Sequence, residues 1–167
     1  MNTLTAQPAG NAPHPRHRRN IATHLVGVPM IVLAVVVLLS RPALGELAGV
    51  AITPALLAAL AAGAYWLVLD RPLGLAMAAV LAAMLAIAAP LAAAATATWL
   101  GWGAGLFVVG WIIQFVGHAW EGRKPAFFDD VVGLLIGPLF VAAEIAFMLG
   151  WRGALRAEIE RREGPTV

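Results

Sequence analysis

Polar residues punctuate this chain sparsely, and the stretches between them are apolar for roughly 20 residues at a time, the length needed to cross a bilayer. The pattern predicts a first helix over 18–40, bent near Pro29. A second covers about 48–69 and stops at Asp70-Arg71-Pro72, where the proline forbids simple continuation. A third, over about 73–98, carries Pro90 inside, which a membrane helix tolerates when neighbours satisfy its backbone. A fourth runs from Gly101 to about Trp120, and a fifth over 131–151 is interrupted at Gly137-Pro138. The expected fold is all-α: a polytopic membrane helical bundle with four full spans plus a fifth apolar helix whose depth stays open. Residues 1–15 read as a flexible tail, 16–151 as the membrane helical domain and 152–167 as a charged tail.

Composition strengthens this picture. Hydrophobic residues make up 61% and charged residues 12%, about half the charged share of ordinary soluble domains. Between Leu25 and Trp120 the charges are Arg41, Glu46, Asp70 and Arg71 alone. The Arg-rich start and apolar core of the first segment resemble a secretory signal, but four more apolar segments follow, so a retained signal-anchor is simpler. The absence of cysteine excludes disulfides, thiolate metal sites and Cys nucleophiles, leaving His, carboxylate or amide oxygen to hold any metal. Basic residues sit at the ends and in one loop, with no basic stripe for nucleic acid. With a cytoplasmic N-terminus, six Lys and Arg fall inside and five outside, which decides little. The even number of crossings matters more, because it places the 17–24 and 114–124 stretches on one membrane face, expected to be cytoplasmic. A bacterial inner membrane is the expected location.

Both stretches carry polar stripes. Gln114, His118 and Glu121 stand at i, i+4 and i+7, and His17, Asn20 and His24 at i, i+3 and i+7, so each trio shares one helix face. Such a stripe is either a solvated helix end or the wall of a site. Imidazoles from two helix ends, with a carboxylate, form the kind of set that commonly holds Fe(II). His118 and Glu121 also reverse the order of the Glu-x-x-His pair of helical di-iron sites. His14 reads as solvated, Asp129 and Asp130 as helix-capping charge, and Glu144 as a mid-helix carboxylate that needs a partner or a proton.

These residues carry a resemblance. The segment 110–151, "GWIIQFVGHAWEGRKPAFFDDVVGLLIGPLFVAAEIAFMLGW", resembles the core signature of the 2-hydroxy-palmitic acid dioxygenase-like family of membrane proteins. That signature runs as Gln-Phe-x-Gly-His, then Glu, a basic pair, Pro-Ala and Asp, and an apolar helix with Pro and Glu. "HRRNIATHLVGVP" (17–29) resembles the family's His-Pro-x-Asn-x3-His-x2-Gly-x-Pro element, with Arg18 in place of its proline. The step from His118 to Glu121 is one residue shorter than in the fungal pattern.

The resemblance implies an Fe(II)-dependent dioxygenase that takes 2-hydroxy fatty acids and dioxygen and shortens the chain by one carbon, an α-oxidation. Fungal relatives use this step in phytosphingosine breakdown. Carried over, His24, His118 and His17 are implied metal ligands and Glu121 a ligand or base. Asn20 and Gln114 would orient the imidazoles or bind the 2-hydroxyl, and Arg123 or Lys124 would hold the substrate carboxylate. The substrate's tail would stay in the lipid bilayer. Competing expectations are a non-catalytic bundle that senses lipid or binds a partner, and a proton-coupled carrier using Glu144.

Overall fold

The computed structural model describes residues 18–121 and 131–151 together with 153, 157 and 161, with backbone alone at 18, 19, 121 and 131–134. Five helices and one small hairpin follow in order: α1 (Arg18–Leu39), β1 (Gly45–Leu47), β2 (Val50–Ile52), α2 (Pro54–Leu69), α3 (Arg71–Ala93), α4 (Thr96–Glu121) and α5 (Val131–Met148). The all-α bundle is therefore as expected, but its spans differ from the sequence pattern.

Among the described residues three helices, α1, α3 and α4, are long and apolar enough to cross a membrane. The second segment, expected as a full span from about residue 48, loses its first turn and a half to the hairpin. Ala48 and Gly49 both take positive φ, 51° and 80°, the conformation of the two-residue turn that best matches strand twist. Leu47 pairs with Val50 across it. Only at Thr53-Pro54 does helix begin: the Thr53 side chain accepts from Leu56 N, and Pro54 fits the first turn. The resulting 16 residues of α2 extend about 24 Å, against a hydrocarbon core of about 30 Å. In α5 the apolar stretch Leu135–Met148 is shorter still.

A single residue joins α2 to α3. The Asp70 backbone N–H donates to Trp66 O at 2.9 Å, closing α2, while its carboxylate accepts from Leu73 N at 3.1 Å, opening α3. The corner is so tight that a Cβ at Gly74 would lie 2.7 Å from the Leu67 backbone. Trp66, Leu73, Met77 and Leu81 then pack against Leu139, Ala143, Ala146 and Phe147 of α5. The Trp66 indole N–H donates to Leu135 O at 2.9 Å, tying α2 to α5.

The most intimate pairing is between α1 and α4, which run antiparallel. Gly103, Gly110 and Gly117 recur every seven residues on α4, the period of a left-handed helix pair. They face Leu38, Ile31 and Thr23 of α1 in turn. A Cβ at Gly110 would sit 2.7 Å from Ile31 Cγ1 and 3.1 Å from Gly27 O, so the two backbones meet where no side chain fits. At the far end, Trp99 donates to Val37 O at 2.7 Å. There Arg41 donates to Ala92 O at 2.6 Å, to Ala94 O, and to Thr96 Oγ1 at 3.2 Å. Its guanidinium lies 5.0 Å from the Trp99 ring centre. The last carbonyls of α3 are thereby satisfied by a cation, favoured at a helix C-terminus.

Gly110→Leu is expected to lower stability in detergent by about 1–3 kcal/mol or more through overpacking. Gly105→Leu, on an exposed part of α4 with open space around it, should leave the melting temperature nearly unchanged. Thermal unfolding followed by circular dichroism compares the two.

Candidate functional site

The glycine seam ends in polar residues. One helical turn beyond Gly27, α1 presents Thr23 and Asn20 to Gly117 of α4, where any Cβ would collide with the Thr23 hydroxyl. Thr23 Oγ1 donates to Asn20 O at 2.8 Å, and Asn20 itself is buried. The contact at Gly117 carries its neighbour His118 toward His24, and the two imidazole centres stand 5.0 Å apart at 79°.

His24 Nδ1 lies 2.9 Å from Asn20 O. A carbonyl can only accept, so Nδ1 carries the proton and the lone pair of the neutral ring is on Nε2. A backbone carbonyl fixing the tautomer in this way is the usual companion of a metal-binding histidine. The donor set also suits a shared ion by distance. A ring nitrogen about 2.1 Å from a metal puts the ring centre about 3.2 Å away, so two ligands subtending about 90–110° at one ion have ring centres about 4.5–5.2 Å apart. The two histidines thus fit as two nitrogen ligands. Among the described residues no group of three His, Cys, Asp or Glu gathers to complete the set.

Behind the imidazoles, Gln114 is 3% exposed, and its Nε2 finds no hydrogen-bond acceptor among the described residues. Burying an amide N–H without an acceptor is costly, which marks this atom as a place for a bound acceptor. Gln114, His24 and His118 line one end of a cavity of about 280 Å³ whose remaining wall is apolar apart from the Trp66 and Trp111 indoles. The wall comes from α1 (Val28 to Leu39), from Ala55, Ala58, Ala59, Ala62 and Trp66 of α2, from Leu81 of α3, and from Leu135, Gly137 and Pro138 of α5. A pocket with a few convergent polar groups at one end of an apolar lining is the form expected of a small-molecule site.

Four of the residues singled out in the sequence, Asn20, His24, Gln114 and His118, therefore meet at one end of the bundle. His17, Arg123 and Lys124 lie outside the described residues, as does the side chain of Glu121. Glu144 is buried on α5 with a partner of its own and does not line the cavity. Sequence reasoning passed over Thr23 and the alanine face of α2. The seven-residue glycine spacing on α4 was a signal in the sequence of close packing there, without naming the α1 residues opposite.

The family model of 2-hydroxy-palmitic acid dioxygenase Mpo1-like proteins matches residues 11–149. The chain belongs to the Mpo1-like family. It is also 47% identical over 58 residues to "2-hydroxy-palmitic acid dioxygenase MPO1" of Saccharomyces cerevisiae. That stretch is 34% of this chain and 33% of the yeast protein, so the match covers about a third of the relative's length. No solved structure matches. The Mpo1-like relative is a yeast protein and lends nothing to the expectation of a bacterial inner membrane.

Because the chain lacks cysteine, the pair His24→Cys/His118→Cys isolates the proximity of α1 and α4. A short bifunctional thiol reagent is expected to join them, giving a gel species of changed mobility. The control His24→Cys/Gly105→Cys should not be joined.

Proposed function

We propose that the protein is a membrane-bound, Fe(II)-dependent dioxygenase that shortens 2-hydroxy fatty acids by one carbon. The observation that carries the proposal is the His24–His118 pair at the polar end of an apolar cavity, in a chain of this family. The reaction balances as 2-hydroxy acid plus dioxygen giving the acid one carbon shorter, carbon dioxide and water. The bond between C1 and C2 breaks, C2 becomes the new carboxyl carbon, and dioxygen is the four-electron oxidant.

When bound, iron(II) supplies open coordination positions for the 2-hydroxy acid and for dioxygen. His24 and His118 would hold it, with His17 and Glu121 as the remaining candidates, Glu121 serving as ligand or base. The Asn20 carbonyl keeps Nδ1 of His24 protonated and its Nε2 lone pair available. The Gln114 amide donates to a substrate oxygen, either the 2-hydroxyl or the carboxylate, and so fixes C2 near the imidazoles. Arg123 or Lys124 would neutralise the carboxylate at headgroup level, on the cytoplasmic side. The apolar walls hold the tail and exclude water from C2.

Purified protein loaded with iron and given 2-hydroxypalmitate and oxygen should yield pentadecanoate, detected by mass spectrometry and lost on chelation. His24→Ala and His118→Ala are expected to abolish iron binding and turnover; stoichiometric iron in either variant would sink the site. Gln114→Leu should retain iron while KM rises about tenfold or more, the loss of one hydrogen bond to a charged oxygen.

A further inference from the structure

The cavity that begins at the imidazoles ends on buried residues, while its flank is open where Val35 and Ala58 are exposed. Its α1 wall runs from His24 to Leu39, fifteen residues or about 22 Å along the helix. Val36, Ala55 and Leu39 line the far end, and Val36 and Ala55 belong to a buried cluster with Val37 and Ala88 that closes the bundle behind them. One side is kept open by alanines at 55, 58, 59 and 62, the i, i+3, i+4, i+7 stripe of a single α2 face. Larger side chains on that stripe would fill the space.

We infer that this stripe and floor are a chain-length gauge: a single acyl tail lies along α1 with its polar end at the imidazoles, and Val36, Leu39 and Ala55 set the longest tail admitted in full. The inference rests on the dioxygenase proposal for the identity of the polar end, but the gauge itself is a property of the walls. An extended hydrocarbon advances about 1.25 Å per carbon, so 22 Å is the reach of about 17 methylenes, more than about 280 Å³ encloses, and part of the tail lies against the open flank. The buried Nε2 of Gln114 gives the tail its direction, because an N–H donor at one end of an apolar tube selects an acceptor-headed ligand. Counted from the acid monomer in water, each added methylene within the cavity should improve affinity about fourfold, and methylenes beyond its end should add nothing.

The test is binding to iron-free, full-length protein, by displacement of a fluorescent fatty acid, across straight-chain 2-hydroxy acids from decanoate to eicosanoate. Wild type should gain affinity with length and then break to a plateau or loss near the length that the floor sets. Ala59→Phe narrows the tube one helical turn above Ala55, about 6 Å along α2, and should move the break shorter by about five carbons while leaving the shortest acids unaffected. Leu39→Ala, which deepens the floor without crowding it, should move the break longer by about two carbons and serves if the phenylalanine variant does not fold. Absence of a break in wild type, or a break unmoved in Leu39→Ala and in folded Ala59→Phe, overturns the gauge. A gauge that moves as expected in protein that turns over no 2-hydroxy acid sinks the dioxygenase proposal alone.

Discussion

The close approach of α1 and α4 is the constraint on which the rest depends. Two antiparallel helices whose backbones touch at Gly27 and Gly110 have one register available, and a shift by a turn would drive Ile31 or Leu38 into a backbone that has no room. In lipid no hydrophobic driving force separates good helix pairings from bad ones, so shape carries the specificity. That register brings together two imidazoles 94 residues apart in sequence (118 minus 24). Neither histidine has to be drawn into place by the other.

The cavity follows from what packs against that pair and what does not. α2 turns an alanine face toward α1, and α5 presents Gly137-Pro138, where a missing N–H and a missing side chain both reduce what the helix offers. Bulk is held back to the corner beneath, where Trp66, Leu73 and Leu139 fill space densely. Small residues beside the site and large ones behind it leave an apolar void with firm walls. Apart from the Trp66 and Trp111 indoles, the polar groups of its lining sit at the end where α1 begins and α4 finishes.

Much of this was legible in the sequence because the governing forces are local or compositional. Helix identity came from apolar run length, and the expectation that His24 and His118 share one end came from an even crossing count; the antiparallel pairing of α1 and α4 brings the two rings together without that count. What was not legible is instructive. The hairpin at 45–52 reads as apolar sequence continuous with α2, and only the paired positive φ angles of Ala48 and Gly49 reveal a turn. Alanine-rich sequence likewise gives no hint of which face borders a void, since alanine packs equally well against helix or lipid. The glycine period on α4 was visible, but its meaning depended on which helix lay opposite.

The one-residue corner at Asp70 has a consequence of a different kind. Since each residue turns a helix by about 100°, adding or deleting one residue there would swing every side chain of α3 to a new bearing. The carboxylate cap at Leu73 and the bare Gly74 would both be lost in the same step. Length variation in this architecture must therefore collect elsewhere, and the exposed hairpin at the opposite end is the segment able to absorb it. The α2–α3 corner is a fixed ruler mark in the chain, from which the spacing of everything after it is counted.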